Sequence, residues 1–88
     1  METHEERYLL VFESYNQAML LYNELLKKEC KVELVSTPCR VSRGCSQSIV
    51  FTATDIKKVI EEIKKNKVII KGIYKIVKNN GFNEYVHI

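Results

Sequence analysis

The chain has 88 residues, with 14 Lys and Arg against 11 Asp and Glu for a net charge of +3, and it is 45% hydrophobic and 28% charged. That length supports one domain (1–88) with a modest core, burying roughly 60 to 65% of the unfolded surface, and the composition excludes a disordered chain or a fibrous repeat. No apolar run approaches the roughly 18 residues needed to span a bilayer.

The start, METHEERYLL, lacks the basic head and long apolar stretch of a secretory signal, so the expected setting is cytoplasmic, without a membrane partner. YLLVF (8–12) is a strand-favouring run expected to be buried on both faces. Ser14 with Gln17 forms a capping-box pattern, followed by Ala18, Leu21, Tyr22 and Leu25 at helical spacing. Lys27 and Lys28 suit the negative end of a helix that stops near Glu29. Val32–Val35 reads as the second strand, with Glu33 away from the apolar side, and Ser48–Phe51 as the third.

Thr52 with Asp55 suggests another capping box, with Phe51 and Ile56 as its hydrophobic staple. Ile56, Val59, Ile60 and Ile63 predict the core face of a second helix ending near Asn66, while Lys57, Lys58, Lys64 and Lys65 interleave with Glu61 and Glu62 as a solvated face. Val68–Val77 is a long β-branched strand in which Gly72 marks a bulge or bend. The order strand, helix, strand, strand, helix, strand predicts an α+β, ferredoxin-like βαββαβ sandwich: a four-stranded antiparallel sheet with both helices on one face. Asn80-Gly81 in the 78–88 extension signals a type I′ hairpin that would return Phe82–His87 as an extra strand, the alternative being a frayed tail.

The segment STPCRVSRGCSQ (36–47) interrupts this periodicity and holds two of the three cysteines. Nucleophilic sulfur is thiolate sulfur, and nearby cations raise the thiolate fraction. Arg40 and Arg43 lie between Cys39 and Cys45, and Gly44 frees the backbone to turn amides toward an anion. The loop is therefore suited to a thiolate, a persulfide or a bound anion, against the plainer reading of an ordinary surface loop. Catalytic thiol work falls to Cys45 and Cys39, which could also close a disulfide, and anion stabilisation to Arg40, Arg43 and Gly44. No metal is expected, because no C-x-x-C pair occurs and His4 and His87 lie in the two terminal segments. Cys30 reads as a small buried hydrophobe, giving a reactivity order Cys45, Cys39, Cys30.

YLLVFES (8–14), VELVSTPCRVSRGCSQSIVF (32–51) and IKGIYKIV (70–77) resemble the selenium/sulfur carrier protein-like family, over about Arg7 to Val77. Thr37-Pro38 and Cys45 match that family's loop start and its cysteine before the third strand. Arg40 stands one place late because Cys39 intervenes, and Ser46 replaces the glycine common after the cysteine. The resemblance implies a carrier whose cysteine holds sulfur or selenium as a persulfide or selenosulfide, with donor and acceptor proteins as partners. Cys39 lies outside the family pattern. No general base brackets the loop, so a carrier without cofactor is expected rather than a complete enzyme.

Two other classes fit the fold. One is a non-catalytic interaction module, in which the second or the C-terminal strand pairs with a partner or with a second copy as a homodimer. The other is RNA binding through Tyr8, Phe12 and Phe51, disfavoured because the glycine-aromatic signature is absent.

Overall fold

The computed structural model describes residues 6–41 and 47–88. The elements are β1 (Arg7–Phe12), α1 (Tyr15–Lys27), β2 (Glu33–Ser36), β3 (Gln47–Thr52), a 3-10 turn (Ala53–Asp55) leading into α2 (Ile56–Lys65), β4 (Ile70–Asn79) and β5 (Phe82–His87). They form one antiparallel sheet in the order β2-β3-β1-β4-β5.

The sheet has five strands, which corrects the four-stranded expectation. β4 is ten residues long and outruns β1, whose pairing ends at Arg7 opposite Ile76. The backbone groups of its far half need another partner, and the turn supplies one. Asn80 and Gly81 both take positive φ, 52° and 84°, so a two-residue turn sets Phe82 opposite Asn79. That twist matches the flanking strands, which is why Asn-Gly is favoured there.

β1 lies between β3 and β4, and Leu9, Leu10, Val11 and Phe12 are all buried. Leu10 and Phe12 join Ile49 and Phe51 of β3, Ala18, Leu21 and Leu25 of α1, and Val59 of α2 in one core. Leu9 and Val11 point to the opposite face by strand alternation, yet each is only 1% exposed. This second face carries Ser48 and Val50 of β3, Gly72, Tyr74 and Ile76 of β4, and Tyr85 and His87 of β5, as the strand register requires.

Gly72 is placed as the sequence suggests, beside a register shift between Val11 and Phe12. A Cβ there would come 3.2 Å from Nε2 of His87, whose ring lies 5.0 Å from that of Tyr74. Glycine thus lets the His87 imidazole settle against β4.

The helix signals hold in part. Ser14 Oγ accepts from the Gln17 amide at 3.2 Å, but the Gln17 side chain accepts from the Ile69 amide at 2.9 Å instead of reaching back, because the chain entering β4 presents that donor to it. The second capping box does not form: Thr52 makes no side-chain cap bond, and Asp55 Oδ2 accepts from the Lys31 amide at 3.1 Å. The 3-10 turn shifts the start of α2 by three residues, to Ile56, and so separates the pair. On α2, Ile60 is exposed whereas Glu62 is buried, with Lys28 Nζ 3.8 Å from one oxygen and the Asn66 amide 3.2 Å from the other.

Both helices end in the same way. Glu29 and Lys67 take φ of 61° and 51°, the Cys30 amide donates to the Leu25 carbonyl, and the Val68 amide donates to the Ile63 carbonyl, each at 3.0 Å. These are Schellman ends whose left-handed position is usually glycine. Lys67→Gly should therefore raise the unfolding free energy by about 0.5–1 kcal/mol, measured by urea titration, with no loss at the loop thiols. A destabilised variant would mean that the Lys67 side chain contributes more than its backbone strain costs.

Candidate functional site

The loop between β2 and β3 is pinned at its neck. Ser36 pairs with Gln47 at the end of the ladder, and Thr37 Oγ1 and Ser48 Oγ share a buried hydrogen bond of 2.5 Å. Both hydroxyls are nearly shielded from water, so each requires the other. The Val41 amide donates to the Pro38 carbonyl at 2.9 Å, closing a turn with Cys39 and Arg40 at its two corners. Cys39 is an exposed free thiol. Arg40 Nη1 donates to the Asn83 carbonyl of β5 at 3.4 Å.

Arg43, Gly44 and Cys45 lie outside the described residues. Cys39, three residues from Ser36, lies within about 11 Å of the paired end of β2. Ser36 and Gln47 are paired neighbours, so the two ends of the loop start from one place in the ladder.

The contact with β5 was not foreseen from the sequence, where no local signal links residues 40 and 83. Asn80-Gly81 announces the hairpin, but which carbonyl meets the loop depends on how the sheet twists. The same hairpin carries His87 from the terminus onto the helix-free face beside Gly72 and Tyr74.

A cavity of about 440 Å³ lies next to the Asn83 contact, lined by Glu6, Arg7, Lys75, Ile76, Lys78 and Asn83 among others. Glu6 pairs with Lys75, and that carboxylate holds the Lys75 ammonium above its ordinary pKa. Arg7 and Lys78 have no carboxylate partner among the described residues, so the lining leans cationic beside Arg40.

Cys30 is the residue that follows the left-handed position of α1, where Val68 stands after α2, and both side chains turn into the core. Burial pushes the Cys30 thiol above its ordinary value of 9.0; Asp55 adds to the shift, Lys58 opposes it, and Glu62 adds further. A folded state that holds this proton more tightly than the unfolded chain keeps the full contribution below about pH 9 and loses it as pH rises through the folded pKa. Stability should therefore fall more steeply above pH 9 in the wild type than in Cys30→Val, as followed by urea midpoints from pH 8 to 11. Parallel curves would remove Cys30 as the source.

Among the described residues no group of three or more His, Cys, Asp and Glu side chains could hold a metal ion. Nor is any described helix long and apolar enough to cross a membrane. Tyr8 and Phe51 stack with centroids 5.5 Å apart, and together with Phe12 they belong to the helix-side core. Phe12 and Phe51 are buried there, so neither of those two rings is free to stack on a base, and Tyr8 is half-buried beside them.

The model of the family described as "Putative Se/S carrier protein-like" matches residues 7–75. The match takes in the whole loop and stops within β4, two residues short of the span expected from the sequence, so β5 and its contact with Arg40 lie beyond it. No curated protein matches the chain.

Proposed function

The chain belongs to the Se/S carrier protein-like family, and from that premise we propose that it carries sulfur or selenium on Cys45, as a persulfide or a selenosulfide, between a donor and an acceptor protein. One observation carries the reading: the loop that bears both thiols is pinned at its neck by the Thr37–Ser48 bond and presents an exposed free thiol, Cys39, next in sequence to Arg40, whose guanidinium reaches the Asn83 carbonyl. A carrier needs a reachable sulfur on a fixed base and few other groups.

In the loading step the Cys45 thiolate attacks the outer sulfur of a donor persulfide. The new S–S bond forms as the donor's S–S bond breaks, and the donor thiolate leaves with the electron pair. The terminal persulfide sulfur carries the proton or ionises, and Arg40 and Arg43 favour the anion through charge-assisted hydrogen bonds. In release, an acceptor thiolate takes that outer sulfur by the same exchange. Alternatively the Cys39 thiolate attacks the inner sulfur of Cys45, closing a disulfide and expelling hydrosulfide. Such chemistry suits a reducing, cytoplasmic compartment, where thiols stay free. The core β2-β3-β1-β4 order with its two crossover helices supports reading the scaffold as ferredoxin-like, extended by β5.

Mass spectrometry of the protein purified without reductant tests the proposal. An adduct of about 32 Da or about 80 Da on the Cys45 peptide, removed by dithiothreitol, is the expected result. A protein that gains no adduct after incubation with a persulfide or selenosulfide donor is not a carrier.

A further inference from the structure

We propose that β5 is a self-association edge, and that two copies of the chain join through it into one continuous antiparallel sheet, five strands from each. β5 is the last strand of the sheet, with no described strand on its outer side. Its hydrogen-bonding phase follows from one contact: the Ile88 amide donates to the Ile73 carbonyl of β4 at 3.0 Å. Alternate residues point their backbone groups the same way, so Glu84 and Val86 bond inward to β4 while Asn83, Tyr85 and His87 present N–H and C=O outward. The Asn83 carbonyl, which accepts from Arg40, is on this outward set, and its second lone pair remains available.

Natural edge strands are blunted by lysine, proline or a bulge. Phe82–Ile88 contains no lysine and no proline, and its pairing with β4 is regular. Its exposed apolar side chains are Phe82 (67%), Val86 (49%) and Ile88 (61%). This edge invites another strand.

The occupant follows from the pattern of the strand itself. A two-fold axis at Tyr85 sets Tyr85 opposite its own copy, Asn83 opposite His87, Glu84 opposite Val86 and Phe82 opposite Ile88. The outward-bonding residues then form the hydrogen-bonded pairs, Phe82 and Ile88 meet on the helix side, and the two tyrosines meet on the other face. Shifting the axis to Glu84 would set two carboxylates opposite each other, and shifting it to Val86 would part Phe82 from Ile88 and set the Glu84 carboxylate opposite Ile88 instead. The strand is thus complementary to itself in one register, which no unrelated partner strand is required to be.

Sedimentation velocity on the full chain, from about 10 µM to about 1 mM, should show a reversible monomer–dimer equilibrium. Tyr85→Lys sets two like charges opposite each other and should weaken dimerisation by at least tenfold. Tyr85→Glu should do the same, and an equimolar mixture of the two variants should regain dimers as the heterodimer. Phe82→Lys, at a more exposed position, gives a second variant with little risk to folding, and far-ultraviolet circular dichroism reports the fold of each. A wild type that stays monomeric throughout, a dimer that survives Tyr85→Lys, or a mixture that does not recombine would each overturn the proposal. Because the readout is mass and not sulfur loading, it stands or falls separately from the carrier reading.

Discussion

Cys45→Ser should abolish sulfur and selenium loading, while Cys39→Ser should still take up the adduct and lose only the release that closes an internal disulfide. The asymmetry follows from where the two residues sit. Cys45 is tethered two residues from a paired strand, whereas Cys39 occupies the corner of a turn and serves as the second thiol. Replacing both Arg40 and Arg43 by alanine should slow alkylation of Cys45 at neutral pH about three- to tenfold, the loss expected from about 0.7–1.4 kcal/mol of cation–thiolate attraction. Iodoacetamide labelling followed by peptide mass spectrometry measures the order Cys45, Cys39, Cys30 in one experiment. Loading that survives Cys45→Ser would move the carrier role to another thiol. An unchanged rate in the double-arginine variant would remove the electrostatic part of the mechanism.

Phe12→Ala should cost about 3–5 kcal/mol of folding free energy, the range for deleting a large buried aromatic side chain when the cavity cannot collapse. Phe12 is fully buried in the core, on the central strand, where β3 lies on one side and β4 on the other. Neither neighbouring strand can move in to fill the space without breaking its own ladder. For a domain whose total stability is expected within about 5–15 kcal/mol, this loss brings the protein close to unfolding at room temperature. Urea denaturation of the purified variant measures it directly, and a loss under about 1.5 kcal/mol would mean that the core relaxes around the gap. The same experiment on Leu9→Ala compares the helix side with the helix-free side, because Leu9 is equally buried on the opposite face.

The sequence by itself determined the features that depend on neighbours along the chain. The YLLVF run specified a strand without a polar face, and it became the centre of the sheet, buried on both sides. Ser14 specified the start of α1 because a cap acts across three residues, and Asn80-Gly81 specified the hairpin because only a left-handed pair turns that tightly. The inward placing of Cys30 and the break at Gly72 were legible for the same local reasons. The loop was legible as a candidate site from composition alone, since two thiols and two guanidinium groups interrupt an otherwise periodic chain. The tertiary structure decided whatever depends on competition among distant partners. Gln17 was drawn from its own cap to the Ile69 amide, and Asp55 to the Lys31 amide, because a side-chain oxygen goes to whichever donor the fold brings near. Glu62 was buried and Ile60 exposed because Lys28 and Asn66 arrive on one side of α2, a placement that helical spacing does not encode. Arg40 meets Asn83 across 43 residues for the same reason: the twist of a five-stranded sheet, and no pattern within either segment, brings the thiol loop to its outermost strand.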